Sequence, residues 1–213
     1  TLYKALGCIL HARRQEAQTG TPVIPMFWVA SEDHDFEEVR KVAWLGKEGE
    51  IEKWQYEAQD IKGRSMSDVP VDGSMFDLVA RLSFTTIESE FKQEVLAWLQ
   101  GAIDNAENLD DFFCRLLAGL TQEFGLVMVT PQMSRIRRHA AQFFEMELRD
   151  RSASSRAVIA AGELLATAGY APALHRREDD INFFAYENGL RCKLSWRNDQ
   201  IIFECGGEIV RET

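Results

Sequence analysis

The sequence lacks the cysteine spacing that builds a metal site or a disulfide framework. Its four cysteines, Cys8, Cys114, Cys192 and Cys205, are widely scattered, and no two of them form a CxxC motif. This distribution excludes a zinc site made of neighbouring cysteines and predicts reduced thiols. Because no nearby sequence supplies an activating partner, we expect each cysteine to be a small buried apolar residue and not a nucleophile.

Positive charge is also scarce. The 213 residues contain 24 lysines and arginines against 34 aspartates and glutamates, a formal net charge of -10. Binding to nucleic acid or to an anionic membrane depends on clustered lysine and arginine, so neither is expected as a general partner. The sequence shows no secretory signal and no apolar run of membrane-spanning length, which favours a soluble cytoplasmic protein.

Several motifs that often reveal an enzyme are missing. The chain has no P-loop, no GxGxxG, no GxSxG and no HExxH pattern. A glycine loop for phosphate binding, if the function needs one, is therefore expected outside these 213 residues.

The most informative stretch present is PVIPMFWVASEDHDFEEV, residues 22–39. Its apolar half lacks the alternation of a half-exposed strand, which predicts a strand covered on both faces, with Phe27 and Trp28 in the core, as in a parallel sheet. Five polar residues follow directly: Ser31, Glu32, Asp33, His34 and Asp35. Ligands of open α/β sheets bind at the carboxyl ends of strands, so we expect a functional site here.

The order of elements predicts parallel α/β winding. A helix over residues 1–17 precedes this strand, and a helix over Leu109–Phe124, with Asn108 as its N-cap, precedes a second short strand over Leu126–Val129. Another helix is expected from Thr130. The repeated order of helix, glycine, apolar strand and helix is typical of a parallel sheet.

Two further regions predict antiparallel strands. Within residues 41–60, apolar residues flank Gly46–Gly49 on both sides, which predicts a hairpin. Residues 181–205 contain the Asn188-Gly189 pair, a strong signal for a hairpin turn. Helices are expected over Ile87–Gln100, with Thr85 or Thr86 as cap, and from Ser154 or Ser155 to Ala168. The Gly, Ser, Pro and Asp content from Asp60 to Ser74 predicts a loop.

The acidic cluster has two interpretations on composition alone. Carboxylates beside an imidazole could bind Mg²⁺, position an amine or hydroxyl, or exchange protons near neutral pH. Alternatively, Asp33 or Asp35 caps a short helix, Glu37 and Glu38 complement its dipole, and His34 is a polar edge residue. The residues leave both interpretations open.

Three segments resemble the cysteine-adding enzymes of bacillithiol biosynthesis. They are LYKAL at residues 2–6, PVIPMFWVASEDHDFEEV at 22–39 and GLVMVTP at 125–131. The INFFAYENGLRCKL stretch at 181–194 is similar to the Asn-x-Phe hairpin of that family. Thr130 departs from the family pattern, which commonly has Asp at this position.

The resemblance implies a Rossmann-like fold: a parallel sheet with helices on both faces and β-rich connecting-peptide insertions at about 41–60 and 181–205. It implies that residues 1–213 are a single core, a fragment of a longer chain that forms a homodimer through a coiled coil. The implied activity is the addition of cysteine to glucosaminyl malate. Such an amide bond needs an activated carboxylate and a free amine, so ATP or ADP is expected as a cofactor by analogy, and no metal.

The resemblance also implies roles for individual residues. His34 and Asp33 are expected to face the pocket and carry catalysis, with Glu32 or Asp35 orienting the substrate amine. Ser31, Lys4 and Trp28 are expected to contact the substrates. Two other functions remain open: a metal-dependent hydrolase or phosphoesterase that uses the same cluster, and a non-catalytic nucleotide-binding module.

Overall fold

A computed structural model describes residues 1–58, 61 and 63–213 of the chain. The chain divides into two compact units, Thr1–Met133 and Ser134–Thr213. The expectation of a single core over residues 1–213 stays a prediction. Within the described ranges, no helix combines the length and the apolar character needed to cross a membrane.

The first unit mixes helices with two small sheets. Its helices and strands, in chain order, are α1 (Leu2–Thr19), β1 (Met26–Trp28), α2 (Phe36–Val39), β2 (Lys41–Leu45), β3 (Ile51–Gln55), α3 (Ser74–Thr85), α4 (Lys92–Asp104), α5 (Leu109–Thr121) and β4 (Val127–Val129). Strands β1 and β4 pair in parallel, with Phe27 opposite Met128. Gly125, at φ 74°, makes the left-handed turn between α5 and β4. The predicted α/β class and parallel pairing are confirmed.

The described residues cover only one face of β1. Phe27 points to a core cluster that contains Ile9 of α1 and Leu117 of α5. Because side chains alternate along a strand, Met26 and Trp28 share the opposite face, where they are 55% and 58% exposed. The prediction that both faces are covered, with Trp28 in the core, is therefore wrong for this chain.

Strands β2 and β3 form the expected antiparallel hairpin, with Lys41 opposite Gln55. The indole of Trp44 donates a hydrogen bond of 2.9 Å to Thr85 Oγ1, which ties the hairpin to α3. Residues 59 and 60, at the end of the predicted insertion, lie outside the described residues. Residue 60 is also the first residue of the predicted loop, and residue 62 of that loop likewise lies outside the described residues. The described part of the loop contains a 3₁₀ turn at Met66–Asp68.

Helix α4 begins later than its sequence pattern predicts. The backbone N–H and the hydroxyl of Thr86 both donate to the carbonyl of Leu82, so Thr86 ends α3 and does not cap α4. Helix α4 begins at Lys92, whose buried Nζ donates to the Thr86 carbonyl at 3.0 Å and lies 2.5 Å from Glu88 Oε1. The predicted cap at Thr85 or Thr86 is wrong.

The predicted cap of α5 is confirmed. Asn108 Oδ1 accepts the backbone N–H of Asp111 at 2.9 Å, in the geometry expected of an N-cap. Asp35 does occupy the N-cap position of α2, but its side chain makes no capping hydrogen bond.

The second unit combines two helices with a four-stranded antiparallel sheet. Its elements are α6 (Ser134–Arg149), α7 (Ala153–Thr167), β5 (Asp180–Glu187), β6 (Leu190–Arg197), β7 (Gln200–Cys205) and β8 (Glu208–Glu212), and the strands follow one another in the sheet in chain order. Asn188 and Gly189 both have positive φ and form the turn between β5 and β6, as predicted. Strand β8 was not predicted.

Two of the four cysteines form a disulfide bond. Cys192 on β6 and Cys205 on β7 have Cα atoms 4.3 Å apart and are bonded. The prediction of reduced thiols is wrong for this pair, because the hairpin brings two residues that are 13 positions apart side by side. Cys8 and Cys114 are free thiols.

Candidate functional site

A cavity of about 500 Å³ lies in the first unit, beyond the carboxyl end of β1. Its wall comes from the residues after β1, the β2–β3 hairpin, helices α3 and α4, and the first half of α5. Most of the lining side chains are apolar or aromatic: Val29, Val39, Val42, Trp54, Tyr56, Met66, Met75, Leu78, Leu99, Leu109, Phe112, Phe113 and Leu116. A concave, largely apolar wall with a few polar groups is typical of a small-molecule site.

Three of the seven predicted site residues line this cavity: Ser31, Asp33 and Asp35. Glu32, His34, Lys4 and Trp28 do not belong to its lining. His34 and Lys4 are exposed, and Trp28 lies on the open face of β1. Their predicted roles in catalysis and substrate binding stay predictions.

Backbone hydrogen bonds hold the polar segment after β1 in place. The N–H of Asp33 donates to the carbonyl of Ala30, which closes a tight turn directly after the strand. The carbonyls of Asp33 and Ser31 accept the N–H groups of Met66 and Ser67 at 2.9 and 3.3 Å. The turn and the following loop therefore fix where the carboxylate of Asp33 enters the cavity wall.

Asp33, His34 and Asp35 bring potential ligand atoms together. Each offers one such atom, and the three atoms lie within 4.8 Å of one another. Carboxylate and imidazole ligands suit several divalent cations. All three side chains are exposed, and exposed acidic groups of this kind are common without an ion. The expectation of no metal stays a prediction.

The residue that sequence reasoning missed is Asp110, in the first turn of α5. Its carboxylate lines the cavity and is half-buried. Burial raises the pKa of Asp110, the adjacent charge of Asp111 adds to the rise, and the hydroxyl of Ser31 opposes it. The Ser31 hydroxyl lies close enough to Asp110 for that effect. Yet its oxygen, in a residue 1% exposed, makes no hydrogen bond of ordinary geometry within the described ranges.

Neither Cys114 nor Tyr56 is suited to proton transfer at neutral pH. Burial raises the pKa of the Cys114 thiol to about 11, and the charges of Asp110 and Asp111 contribute to the rise. Burial likewise raises the pKa of Tyr56 to about 12, with a further rise from the charge of Asp72. The Tyr56 hydroxyl donates to the carbonyl of Pro70 at 2.6 Å, so Tyr56 is a fixed part of the cavity wall.

Two acids in the first turn of a helix, here Asp110 and Asp111, are typically interpreted as complementing the helix dipole. That interpretation explains the residue types but not the direction of each side chain. Asp111 turns outward to pair with Arg115 at 3.0 Å, whereas Asp110 turns toward Ser31. Only the packing of α5 against the end of β1 distinguishes the two acids.

Comparison with known proteins gives a consistent result. The family model "Bacillithiol biosynthesis BshC, N-terminal Rossmann-like domain" matches residues 1–209. A protein of Geobacillus kaustophilus named "Putative cysteine ligase BshC" is 31% identical over 204 residues, which cover 95% of this chain and 38% of that protein.

Proteins with the same name from other bacteria give similar values. The protein of Geobacillus thermodenitrificans is 32% identical over 205 residues, covering 95% of this chain and 38% of its own length. The protein of Symbiobacterium thermophilum is 32% identical over 218 residues, covering 94% and 38%. The chain therefore spans 38% of the length of these relatives.

Proposed function

The chain belongs to the BshC family of bacillithiol biosynthesis, whose N-terminal Rossmann-like domain it matches over residues 1–209, and we propose that it is the corresponding part of a ligase that joins cysteine to glucosaminyl malate. The matched relatives carry the name "Putative cysteine ligase BshC". The observation that carries the proposal is that the segment Ser31–Asp35, after parallel strand β1, contributes Ser31, Asp33 and Asp35 to the wall of a 500 Å³ cavity.

Amide formation requires two functions of these residues. The substrate ammonium must lose a proton before its nitrogen can attack the carboxylate, and that proton must reach a base. We assign proton exchange to His34 and Asp33, which contact each other, and orientation of the amine to Asp35 or Glu32. Ser31 would contact the substrate within the cavity, whereas Lys4 and Trp28 would meet a substrate only outside it.

The carboxylate must also be activated, and we propose an adenine nucleotide, ATP or ADP, for this step. When bound, it would supply a leaving group on the carboxylate. The chain carries no P-loop or GxGxxG motif, so its own contribution would be to hold the amine substrate. A homodimer of the complete protein and a cytoplasmic location complete the proposal.

Metabolite analysis tests the reaction directly. Deleting the gene in its host should abolish the cysteine-containing thiol and cause glucosaminyl malate to accumulate, as measured by mass spectrometry. Restoring the wild-type gene should reverse both changes, and restoring a His34→Ala gene should not. If the thiol persists at its normal level after deletion, the ligase proposal is wrong.

One observation favours a second function, a metal-dependent hydrolase or phosphoesterase: the close approach of Asp33, His34 and Asp35. Calorimetric titration with Mg²⁺, Mn²⁺ and Zn²⁺ separates the two. Metal binding that disappears in Asp33→Asn, together with metal-dependent ester hydrolysis, would support the hydrolase. Titrations without heat of binding would remove its support.

A further inference from the structure

Asp110 is a half-buried carboxylate without a cation. Within the described ranges, no lysine or arginine forms an ion pair with it, although the neighbouring Asp111 pairs with Arg115. Asp110 Oδ1 lies 4.0 Å from the thiol sulfur of Cys114. The hydroxyl of Ser31, which is buried and makes no hydrogen bond within the described ranges, lines the same cavity. Partial burial without a compensating charge is unfavourable for a carboxylate, so such groups are usually paired in the functional state.

The charge around the cavity is predominantly negative. Its wall contains the carboxylates of Asp33, Asp35, Glu38 and Asp110 and the cations of Arg40 and Lys41. Arg40 is already in ion pairs with Glu37 and Glu57, at 2.8 and 3.2 Å. An anionic ligand would therefore meet net repulsion, and a cationic ligand would meet attraction.

The apolar walls favour a compact cation with a hydrocarbon body. Trp54 and Tyr56 stack with their ring centroids 6.0 Å apart and line the cavity, as does Phe112 of α5. Aromatic faces attract ammonium groups and tolerate the CH₂ groups attached to them. Water is scarce beside such walls, which strengthens an ammonium–carboxylate hydrogen bond.

From these three observations we infer that Asp110, supported by the Ser31 hydroxyl, is the anchor for a primary ammonium group in the cavity. The Asp110 carboxylate accepts hydrogen bonds from the ammonium, and the apolar wall surrounds the rest of the ligand. The identification of this ammonium with that of an amine substrate rests on the proposed ligase function. The presence of an ammonium site in the cavity does not depend on that function.

Binding of a matched pair of small molecules tests the inference. Cysteamine carries a primary ammonium, and N-acetylcysteamine is its uncharged counterpart. Both are titrated against the complete protein at pH 7 under reducing conditions, by calorimetry or ligand-observed NMR. We expect cysteamine to bind at least about tenfold more tightly, the factor that corresponds to one charge-assisted hydrogen bond.

Variants locate this preference. Asp110→Asn should abolish it, Asp110→Glu should restore part of it, and the adjacent Asp111→Asn should leave it unchanged. Equal binding of the two compounds to the wild type, or unchanged preference in Asp110→Asn, overturns the inference. If Asp110→Asn does not fold, the indole NMR signals decide. Cysteamine should shift the indole signal of Trp54, which lines the cavity, and leave the indole signal of Trp28 unchanged. A shift of the Trp28 signal without a shift of the Trp54 signal refutes the site.

Ligation assays keep the two proposals apart. If the wild type ligates and Asp110→Asn has an unchanged KM for the amine substrate, the ammonium held by Asp110 is not that of the substrate, and the ligase proposal stays intact. Cysteamine binding that depends on Asp110, in a protein without ligase activity, would support the ammonium site and refute the ligase proposal.

Discussion

Oδ1 of Asp33 accepts the backbone N–H of His34 at 2.9 Å and lies 3.6 Å from Nδ1 of the same residue. Both side chains are about half exposed. Pairs of this kind contribute at most about 1 kcal/mol to stability, because water screens them and their side chains must be ordered. The pair is therefore available for a functional role, and its removal should separate activity from folding.

Substitution of His34 should abolish ligation without unfolding the protein. In the complete protein, His34→Ala is expected to lower turnover by at least about a hundredfold, the usual loss when a proton-transfer group is removed. The melting temperature should stay within a few degrees, because the imidazole is exposed. Turnover is measured by mass spectrometry of the cysteinylated product. His11→Ala, which removes an exposed histidine of α1, is the matched control, and equal turnover in both variants would exclude His34 from the mechanism.

The cap of α5 should be important for both stability and the site. Asn108→Ala removes the acceptor for the Asp111 N–H and should reduce the free energy of unfolding by about 1 kcal/mol. Because Asp110 follows the cap by two residues, cysteamine affinity should fall as well. Asn108→Asp keeps an acceptor and should preserve both properties. Chemical denaturation measures the first effect and calorimetry the second, and an unchanged midpoint in Asn108→Ala would contradict the capping role.

Local chemistry explains which parts of the fold could be predicted. The Asn188-Gly189 turn, the Asn108 cap and the apolar run of β4 act over a few residues, so each is visible in the sequence. Thr86 stands between α3 and α4. The pattern of apolar residues did not show that its hydroxyl ends α3 instead of capping α4. Strand β8 was missed because all five of its residues are exposed and show no inward row of apolar side chains.

Features that depend on tertiary contacts could not be predicted. The spacing of Cys192 and Cys205 does not reveal that their strands are adjacent, and the Asp110-Asp111 pair does not reveal which acid turns inward. The apolar residues of β1 predicted burial, but alternation along the strand leaves Met26 and Trp28 on a face that no described residue covers well. In each case the deciding information is which element packs against which.

Asp180 should make the stability of the second unit depend on acid pH. Burial alone would raise the pKa of Asp180, but hydrogen bonds from Lys193 and Arg177 outweigh it and leave the pKa below its ordinary value of 3.8. A depressed carboxyl pKa contributes stability above the unfolded-state value, which is lost as the pH falls through the folded-state value. Asp180→Asn should therefore cost about 1–3 kcal/mol at pH 7, and the cost should shrink below pH 3.8.

Thermal unfolding between pH 2 and pH 7 measures this dependence. Asp199→Asn is the control, since Asp199 pairs with Arg151 at 2.8 Å while remaining exposed, and exposed pairs contribute little. A constant difference between wild type and Asp180→Asn across this range would show that the carboxylate does not titrate as described.

The Cys192–Cys205 bond should stabilise the second unit by restricting its unfolded state. The bond closes a loop between residues 13 positions apart, and loops of this size contribute about 3 kcal/mol in the chain-entropy model. For protein purified without reductant, alkylation in denaturant should label two of the four cysteines, and reduction should label all four and lower the melting temperature. A variant with Cys8→Ala and Cys114→Ala should retain the same sensitivity to reductant, because those two thiols are free. Labelling of all four cysteines before reduction would show that β6 and β7 carry thiols and that the sheet does not need the bond.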